Sequence, residues 1–300
     1  MQQSVSPPRA HLLGVALVVL SALAFSLAGV LTKAIAADTG TILCWRGLVG
    51  GLLIAAYAGW LGRRIPLRRR FRLGWQGWLL ATVGSVSSIA FIGAFKQTYV
   101  GNVAVIYATA PFLAAALGWL MMRERIRPRT LAAAMVSLGG IAIVFAGGLQ
   151  AGSLTGDVLA LAMTFGCALY MVLIRKFHGA PVVLAGGAAG LQLFVFSWLV
   201  VDPLAVSRHD IVLLVLFGLA FAVATVLWTE GTRRIPAAES GLLGCAETPF
   251  AIMLAWLLLA ELPPAASFLG GGIVLAAVLV HAGWDLGRGM ILRRQARARV

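Results

Sequence analysis

Charged residues are scarce in this chain. Of its 300 residues, 11% are charged and 61% are hydrophobic, whereas an ordinary soluble domain has about 25% charged and about 45 to 50% apolar residues. A soluble protein of this length needs a charged surface, so the composition excludes that class and indicates an integral membrane protein. Acidic residues are the rarest charges, with 10 against 24 Lys and Arg.

Cysteine and histidine are also few, and they are dispersed. The three cysteines, Cys44, Cys167 and Cys245, lie far apart in apolar segments, which excludes a disulfide framework and a zinc-type spacing. The glycine-rich stretches lack the strand, the lysine and the spacing of a phosphate-binding loop. We therefore expect no cofactor, no metal and no enzymatic activity.

The sequence contains many long apolar runs. A membrane helix needs about 20 mostly apolar residues. The runs are predicted at 11–36, 41–62, 74–95, 101–122, 130–148, 155–175, 181–201, 211–230, 237–260 and 266–287. The first run is longer than a signal-peptide core of about 7 to 15 residues, so we expect it to be retained as the first of ten membrane spans.

The basic residues indicate the topology. With the N-terminus in the cytoplasm, all but four of the 24 Lys and Arg fall on the inner side, as the positive-inside rule requires. The four exceptions are Lys33, Arg46, Lys96 and Arg208. We therefore predict both termini in the cytoplasm and the protein in the cell inner membrane. The basic charge then contacts lipid headgroups, and nucleic acid is not expected as a partner.

The two halves of the chain repeat one pattern, which divides it into residues 1–150 and 151–300. The aligned positions are Pro111-Phe112 with Pro249-Phe250, Glu124 with Glu261, and Lys33 with Arg175. Each half holds five predicted spans. Because five is odd, the second half starts on the opposite side of the membrane, and the repeats are inverted. This architecture is typical of secondary transporters, whose substrate site lies between the halves.

Two motifs, "APFLAAALGWLMMRER" and "TPFAIMLAWLLLAEL", end the helical pattern of each half. With them, the chain resembles the EamA branch of the drug/metabolite transporter superfamily over nearly its whole length. Lys33 at the end of span one and Arg46 early in span two fit this family. Ala188 lies near where the counterpart of Arg46 would fall, so only one half carries that charge.

The resemblance implies an all-α membrane protein with ten transmembrane helices in two inverted five-helix repeats. It also implies export of small organic metabolites by alternating access, and the chain most resembles exporters of aromatic amino acids. We expect an amino acid-like substrate, membrane lipid as the surroundings and a monomer that is sufficient for function. The alternatives are a broad-specificity drug or small-metabolite exporter and, from another class, a membrane-embedded enzyme or sensor.

Glu247 lies near the centre of the ninth run, where a charge costs about 2.5 to 3.5 kcal/mol on insertion scales. Its neighbours at helical spacing are mostly small and include Ser240, which favours a face turned to protein or to a cavity. The carboxylate is paired with a cation, protonated as a structural brace, or part of the substrate path, where it contacts substrate or carries a proton. The candidate cations are Lys33, Arg46 and Lys96. The equivalent position in the first half is Thr109, a neutral hydroxyl, which weakens the third interpretation.

Aromatic residues in these helices are candidates for the substrate path, although each also suits packing against lipid or protein. They are Phe25, Phe91, Phe95, Tyr99, Tyr107, Tyr170 and Trp228. With few buried charges beside them, they favour a partly apolar substrate such as a neutral amino acid. A sugar phosphate would need more Lys or Arg in the helices.

Proline and glycine predict where helices bend and where they approach closely. Pro111 and Pro249 bend the fourth and ninth spans, either as static kinks for packing or as hinges of a gate. Spans two and seven carry Gly47 with Gly51 and Gly186 with Gly190, which favours close helix packing. Gln192, in span seven, is expected to hydrogen-bond to a neighbouring helix.

Overall fold

The computed structural model describes residues 8–63, 66, 71–124, 128–151, 153–177, 179–235 and 237–297. Within these ranges the chain forms twelve helices and no strand. The first half contributes α1 (Pro8–Ala34), α2 (Thr39–Leu61), α3 (Gly74–Gln97), α4 (Val100–Tyr107), α5 (Ala110–Met122) and α6 (Pro128–Ala151). The second half contributes α7 (Leu154–Lys176), α8 (Val182–Val200), α9 (Arg208–Thr232), α10 (Ala237–Gly244), α11 (Glu247–Leu259) and α12 (Ala265–Arg297).

Every predicted span coincides with helix, and the fourth and ninth spans are each divided into two helices. In the described part of the chain, eight helical segments are long and apolar enough to cross a membrane, and Glu247–Leu259 and Ala265–His281 are shorter apolar helices. The all-helical membrane fold is therefore confirmed. The count of ten spans and the cytoplasmic termini stay predictions. Several arginines used for the topology lie outside the described residues, namely Arg64, Arg68, Arg69, Arg70, Arg125, Arg127 and Arg299.

The two divided spans break at their prolines. α4 ends at Tyr107, and Pro111 is the second residue of α5, where its missing N–H costs no helical hydrogen bond. The Thr109 hydroxyl donates to the Ile106 carbonyl at 2.6 Å and so satisfies one of the carbonyls at the end of α4. Pro249 likewise lies in the first turn of α11. The sequence predicted bends at these sites, and in the structure a two-residue turn, 108–109 or 245–246, interrupts each helix there.

The helices of one half pack mainly against those of the other. α1 packs on α9, α2 on α8, α3 on α7 and α6 on α12. In the repeat, α1 corresponds to α7, α3 to α9 and α5 to α11. The α1–α9 contact therefore corresponds to the α7–α3 contact. The α1–α11 contact likewise corresponds to the α7–α5 contact, which is also formed. The packing therefore follows the two-repeat pattern predicted from the sequence.

Glycine allows α2 and α8 to approach at backbone distance. A Cβ atom added at Gly47 would lie 2.4 Å from the Gly190 carbonyl oxygen, and one at Gly190 would lie 2.7 Å from the Gly51 Cα. The next close approach is at Gly187 rather than at the predicted Gly186, because a Cβ atom added at Gly187 would lie 2.9 Å from the Ala55 nitrogen. The predicted close packing of spans two and seven is thus present.

Gln192 joins α8 to α3, as expected. Its side-chain oxygen accepts a hydrogen bond of 2.8 Å from the Ser85 hydroxyl, and its amide nitrogen donates at 3.4 Å to Thr82. Polar side chains in a membrane span are satisfied across helices in this way.

Candidate functional site

A cavity lies between the halves, beside the two helix breaks. Its free volume is about 20 Å³, enough for about one water molecule. Its walls come from α1, α3, α4, α7 and α11, so both halves contribute to it. Divided helices beside a central cavity are the usual substrate site of transporters built from repeats.

One side of the cavity is aromatic. Phe25 from α1 and Phe91 and Phe95 from α3 line it, and Tyr107 adds a ring at the end of α4. Phe91 and Phe95 meet edge to face with ring centroids 4.8 Å apart, a favourable geometry for aromatic pairs. These four residues were predicted from the sequence as candidates for the substrate path, and together they present a large apolar surface to a ligand.

Glu247 brings the carboxylate of the site. It lines the cavity as the first residue of α11, where the positive end of the helix dipole favours a negative charge. Thr248, beside it, donates a hydrogen bond of 3.4 Å to the Ala104 carbonyl and links α11 to α4. In the described part of the chain, no hydrogen bond or salt bridge engages the Glu247 carboxylate. It is therefore available to a cationic group in the cavity.

The three cations considered for Glu247 are held elsewhere. The Lys33 Nζ donates to Glu261 Oε2 at 2.5 Å, and the Lys96 Nζ donates to the Ile35 carbonyl at 2.6 Å. The Arg46 guanidinium lies among aromatic rings. The structure therefore brings none of the three into a salt bridge with Glu247.

Two ion pairs connect the halves in matching positions. Lys33 at the end of α1 pairs with Glu261 after α11, and Arg175 at the end of α7 pairs with Glu124 after α5. The sequence repeat aligns Lys33 with Arg175 and Glu261 with Glu124, so the second pair is the repeat counterpart of the first. Glu261 also accepts a hydrogen bond of 2.5 Å from the Val100 N–H, at the start of α4.

Four candidates for the substrate path do not line the cavity. Tyr99 lies with its ring 5.8 Å from Lys33 Nζ, and Tyr170 packs in a separate apolar cluster with Leu80. Trp228 packs against Gly244, where an added Cβ atom would lie 2.9 Å from its ring. Ser240 is buried in α10.

The sequence missed several lining residues, of which Ser26, Met163 and Thr248 carry heteroatoms in their side chains. Thr248 was missed for a structural reason. Neighbours of Glu247 were chosen at the same-face spacing of three or four residues in a helix, whereas Thr248 follows Glu247 directly and reaches the cavity from the first turn of α11. No group of three or more His, Cys, Asp or Glu is placed to hold a metal ion within the described ranges.

Comparison with known proteins agrees with the repeat. The EamA-like transporter family matches twice, over residues 12–146 and 154–282. An uncharacterized transporter of Pseudomonas aeruginosa is 29% identical over 238 residues, which are 72% of this chain and 74% of that protein. Protein RarD of Streptomyces exfoliatus is 27% identical over 266 residues, or 86% of this chain and 81% of that protein.

One solved crystal structure has the same fold. It aligns with a TM-score of 0.63 over 95% of this chain and 99% of that chain, at 20% sequence identity. The fold is thus established independently of the sequence pattern.

Proposed function

Because the chain belongs to the EamA-like transporter family, we propose that it exports neutral or aromatic amino acids, or similar small metabolites. The family and the transporters related to it make it a membrane transporter of the drug/metabolite type rather than an enzyme. The substrate class is our own step beyond that. It rests on one observation, the cavity with four aromatic rings and a single free carboxylate.

The cavity suits a small amphipathic molecule. Its free volume is about 20 Å³, against roughly 300 to 1,000 Å³ for ligand sites, so the helices around it must move apart to admit the substrate, as alternating access requires. Glu247 is suited to bind an ammonium group through a charge-assisted hydrogen bond, while the four rings cover an apolar side chain. A neutral amino acid carries both features.

We propose alternating access as the mechanism. In this proposal, residues 1–150 and 151–300 form two inverted repeats with ten spans in total. Both termini lie in the cytoplasm, and the protein exports its substrate across the inner membrane. The two matched ion pairs support this mechanism, because each one ties a first-half residue to a second-half residue. With the repeats inverted, the pairs lie at opposite ends of the cavity. Opening one end then requires breaking one pair while the other holds.

We propose that a monomer is sufficient for transport, because both repeats that alternating access requires lie in one chain. Substrate and surrounding lipid are the only partners that this mechanism requires.

Counterflow in proteoliposomes tests the substrate class. Vesicles loaded with unlabelled L-phenylalanine or L-leucine are expected to accumulate the labelled amino acid from outside, because exchange needs no net driving force. Protein-free vesicles are the control. If none of the twenty amino acids exchanges, with or without a proton gradient, the amino acid proposal is wrong.

A broad-specificity exporter of small metabolites is the second candidate. The aromatic wall favours it, because ring faces accept many apolar shapes without directional hydrogen bonds. Competition by unrelated lipophilic amines as strong as that by phenylalanine would support this candidate over an amino acid exporter.

A further inference from the structure

Arg46 is a buried cation that forms no ion pair with any residue that the structure describes. The residue is 3% exposed in α2, and its Nε has no hydrogen-bond partner. No carboxylate in the described part of the chain forms a salt bridge with it. Burial of a charged group is costly unless the group is paired and hydrogen-bonded, so this guanidinium lacks the partner that its position demands.

Three phenylalanine rings surround the guanidinium in place of an anion. The distances from Arg46 Cζ to the ring centroids are 4.6 Å for Phe221, 5.6 Å for Phe217 and 5.9 Å for Phe91. Cation–π attraction stabilises a desolvated guanidinium, but a ring accepts none of its five N–H groups in the planar geometry of a carboxylate. The rings therefore stabilise the charge, and the Nε–H group is left without an acceptor.

Arg46 lies one layer of rings away from the cavity. Phe91 contacts Arg46 and also lines the cavity. Phe221 packs edge-on against Phe25, with centroids 6.2 Å apart, and Phe25 lines the cavity as well. The Phe91 and Phe25 rings therefore lie between the guanidinium and a ligand in the cavity.

The cavity wall and the layer behind it thus hold one acidic and one basic side chain, each without a hydrogen-bonded or ion-pair partner among the described residues. Glu247 offers a carboxyl group from α11, and Arg46 offers a guanidinium behind the rings of α1 and α3. A ligand with one ammonium and one carboxylate group complements both side chains and adds no net charge.

We propose that Arg46 binds the carboxylate of the substrate, which it reaches when the Phe91 or Phe25 ring turns aside. This assignment rests on the proposed function and deepens it, because it specifies that the substrate is an α-amino acid or a related zwitterion rather than a simple amine. Phe91 then has two states, one over the guanidinium in the empty site and one against the substrate side chain.

Arg46→Met tests the assignment with little risk to folding. Methionine has similar length and is apolar, and replacing a buried charge by an apolar side chain of similar volume is often neutral or stabilising. The thermal midpoint of the variant without ligand measures whether the fold is kept. Arg46→Lys keeps the charge but loses the planar fork, and Arg208→Met, at an exposed position of α9, is the matched control.

The measurement compares L-phenylalanine with 2-phenylethylamine, which lacks the carboxylate. Dissociation constants come from the concentration dependence of thermal stabilisation in detergent, so they need no transport. The wild type and Arg208→Met are expected to bind phenylalanine at least about tenfold more tightly than the amine. The amine lacks the carboxylate, and one charged hydrogen-bonded pair accounts for a difference of this size. Arg46→Met is expected to bind the two ligands alike, through weaker binding of phenylalanine only. Arg46→Lys is expected to lie between.

Two results overturn the assignment: a wild type that binds both ligands equally, or an Arg46→Met variant that keeps the wild-type preference. Counterflow separates this failure from that of the proposed function. If the wild type exchanges phenylalanine and Arg46→Met keeps the preference, only the role of Arg46 is wrong. If the wild type exchanges no amino acid, the proposed function is wrong, and the role of Arg46 with it.

Discussion

Glu247 owes its position in the site to two neighbouring features of the chain. Pro249 fixes where the helix restarts, and the break before α11 turns the carboxylate into the first residue of a helix. The positive end of the helix dipole lies there and favours an anion. In the described part of the chain no cation pairs with the Glu247 carboxyl group, and this leaves the group free for a ligand.

Glu247→Gln is expected to weaken binding of L-phenylalanine by about tenfold or more, because the amide keeps the size of the side chain and loses the charge-assisted hydrogen bond, worth about 1.5 to 3 kcal/mol. Thermal stabilisation in detergent measures the affinity. Asp202→Asn, in the exposed loop before α9, is the control and should bind like the wild type. Wild-type affinity and transport in Glu247→Gln at every pH would exclude roles in binding and in proton transfer.

Helix packing depends on a few glycines at which backbones touch. α2 and α8 meet at Gly47, Gly51 and Gly190, and α6 and α12 meet in the same way at Gly140 and Gly270. In lipid, such close contacts replace the hydrophobic effect as the force that holds helices together. An added methyl group at these positions meets backbone, which moves only with its helix.

Gly190→Ala is expected to destabilise the protein by about 1 to 3 kcal/mol, the usual range for overpacking, since its Cβ atom would lie 2.7 Å from the Gly51 Cα. The thermal midpoint in detergent should fall by several degrees. Gly139→Ala is the matched control, because nothing lies within 4 Å of an added Cβ atom there. It should be neutral or slightly stabilising. Equal midpoints for the two variants would contradict the packing argument.

α2 begins at a side-chain cap in the loop after α1. Asp38 accepts hydrogen bonds from the Thr41 N–H at 2.9 Å and from the Thr41 hydroxyl at 2.7 Å. Burial raises the pKa of Asp38, but the hydrogen bonds from Thr41 and from the Gly40 backbone outweigh burial and bring the pKa below its ordinary value. The cap therefore contributes stability at neutral pH, and this contribution is lost as the pH falls below about 4 toward the lower folded-state pKa.

Asp38→Ala is expected to cost about 1 kcal/mol at pH 7, the typical value of a lost N-cap. The difference in thermal midpoint between wild type and Asp38→Ala should narrow when the pH is lowered from 7 to 3. Asp38→Asn keeps an oxygen acceptor and does not titrate, so its stability relative to Asp38→Ala should change little over this range. A difference that widens at low pH would contradict the assigned cap.

The whole molecule combines two repeats that share every large helix interface. The ion pairs between the repeats differ in their surroundings: the side chains of Lys33 and Glu261 are 24% and 11% exposed, whereas those of Arg175 and Glu124 are 53% and 41% exposed. Solvent weakens an exposed pair, so we expect the Lys33 end of the cavity to be held more firmly than the Arg175 end.

Glu261→Gln is expected to open the cavity toward the Lys33 end, and Glu124→Gln toward the Arg175 end with a smaller effect. A Val103→Cys reporter in the cavity, with Cys44, Cys167 and Cys245 replaced by Ala, measures this through the rate of labelling by a membrane-impermeant thiol reagent from each side. If either variant changes the labelling rate equally from both sides, the pairs do not control opposite ends.

The membrane surroundings, the helices and the repeat could all be predicted from the sequence. Scarce charge and long apolar runs predict membrane helices because lipid does not solvate polar groups, and the positions of Pro111, Pro249, Glu124 and Glu261 indicated the two halves. Five of the predicted path residues, Phe25, Phe91, Phe95, Tyr107 and Glu247, do line the cavity. Each of these signals is local, since it depends on one helix or on its spacing along the chain.

Only the tertiary structure decided which residues meet. The sequence left Lys33, Arg46 and Lys96 as equal candidates to neutralise Glu247, because charge sign does not specify distance between helices. In the fold, Lys33 pairs with Glu261 and phenylalanine rings surround Arg46, and no residue that the structure describes pairs with Glu247. Which side chains of one half pair with those of the other depends on how the ten apolar runs pack together. This packing is a property of the whole chain rather than of any single segment.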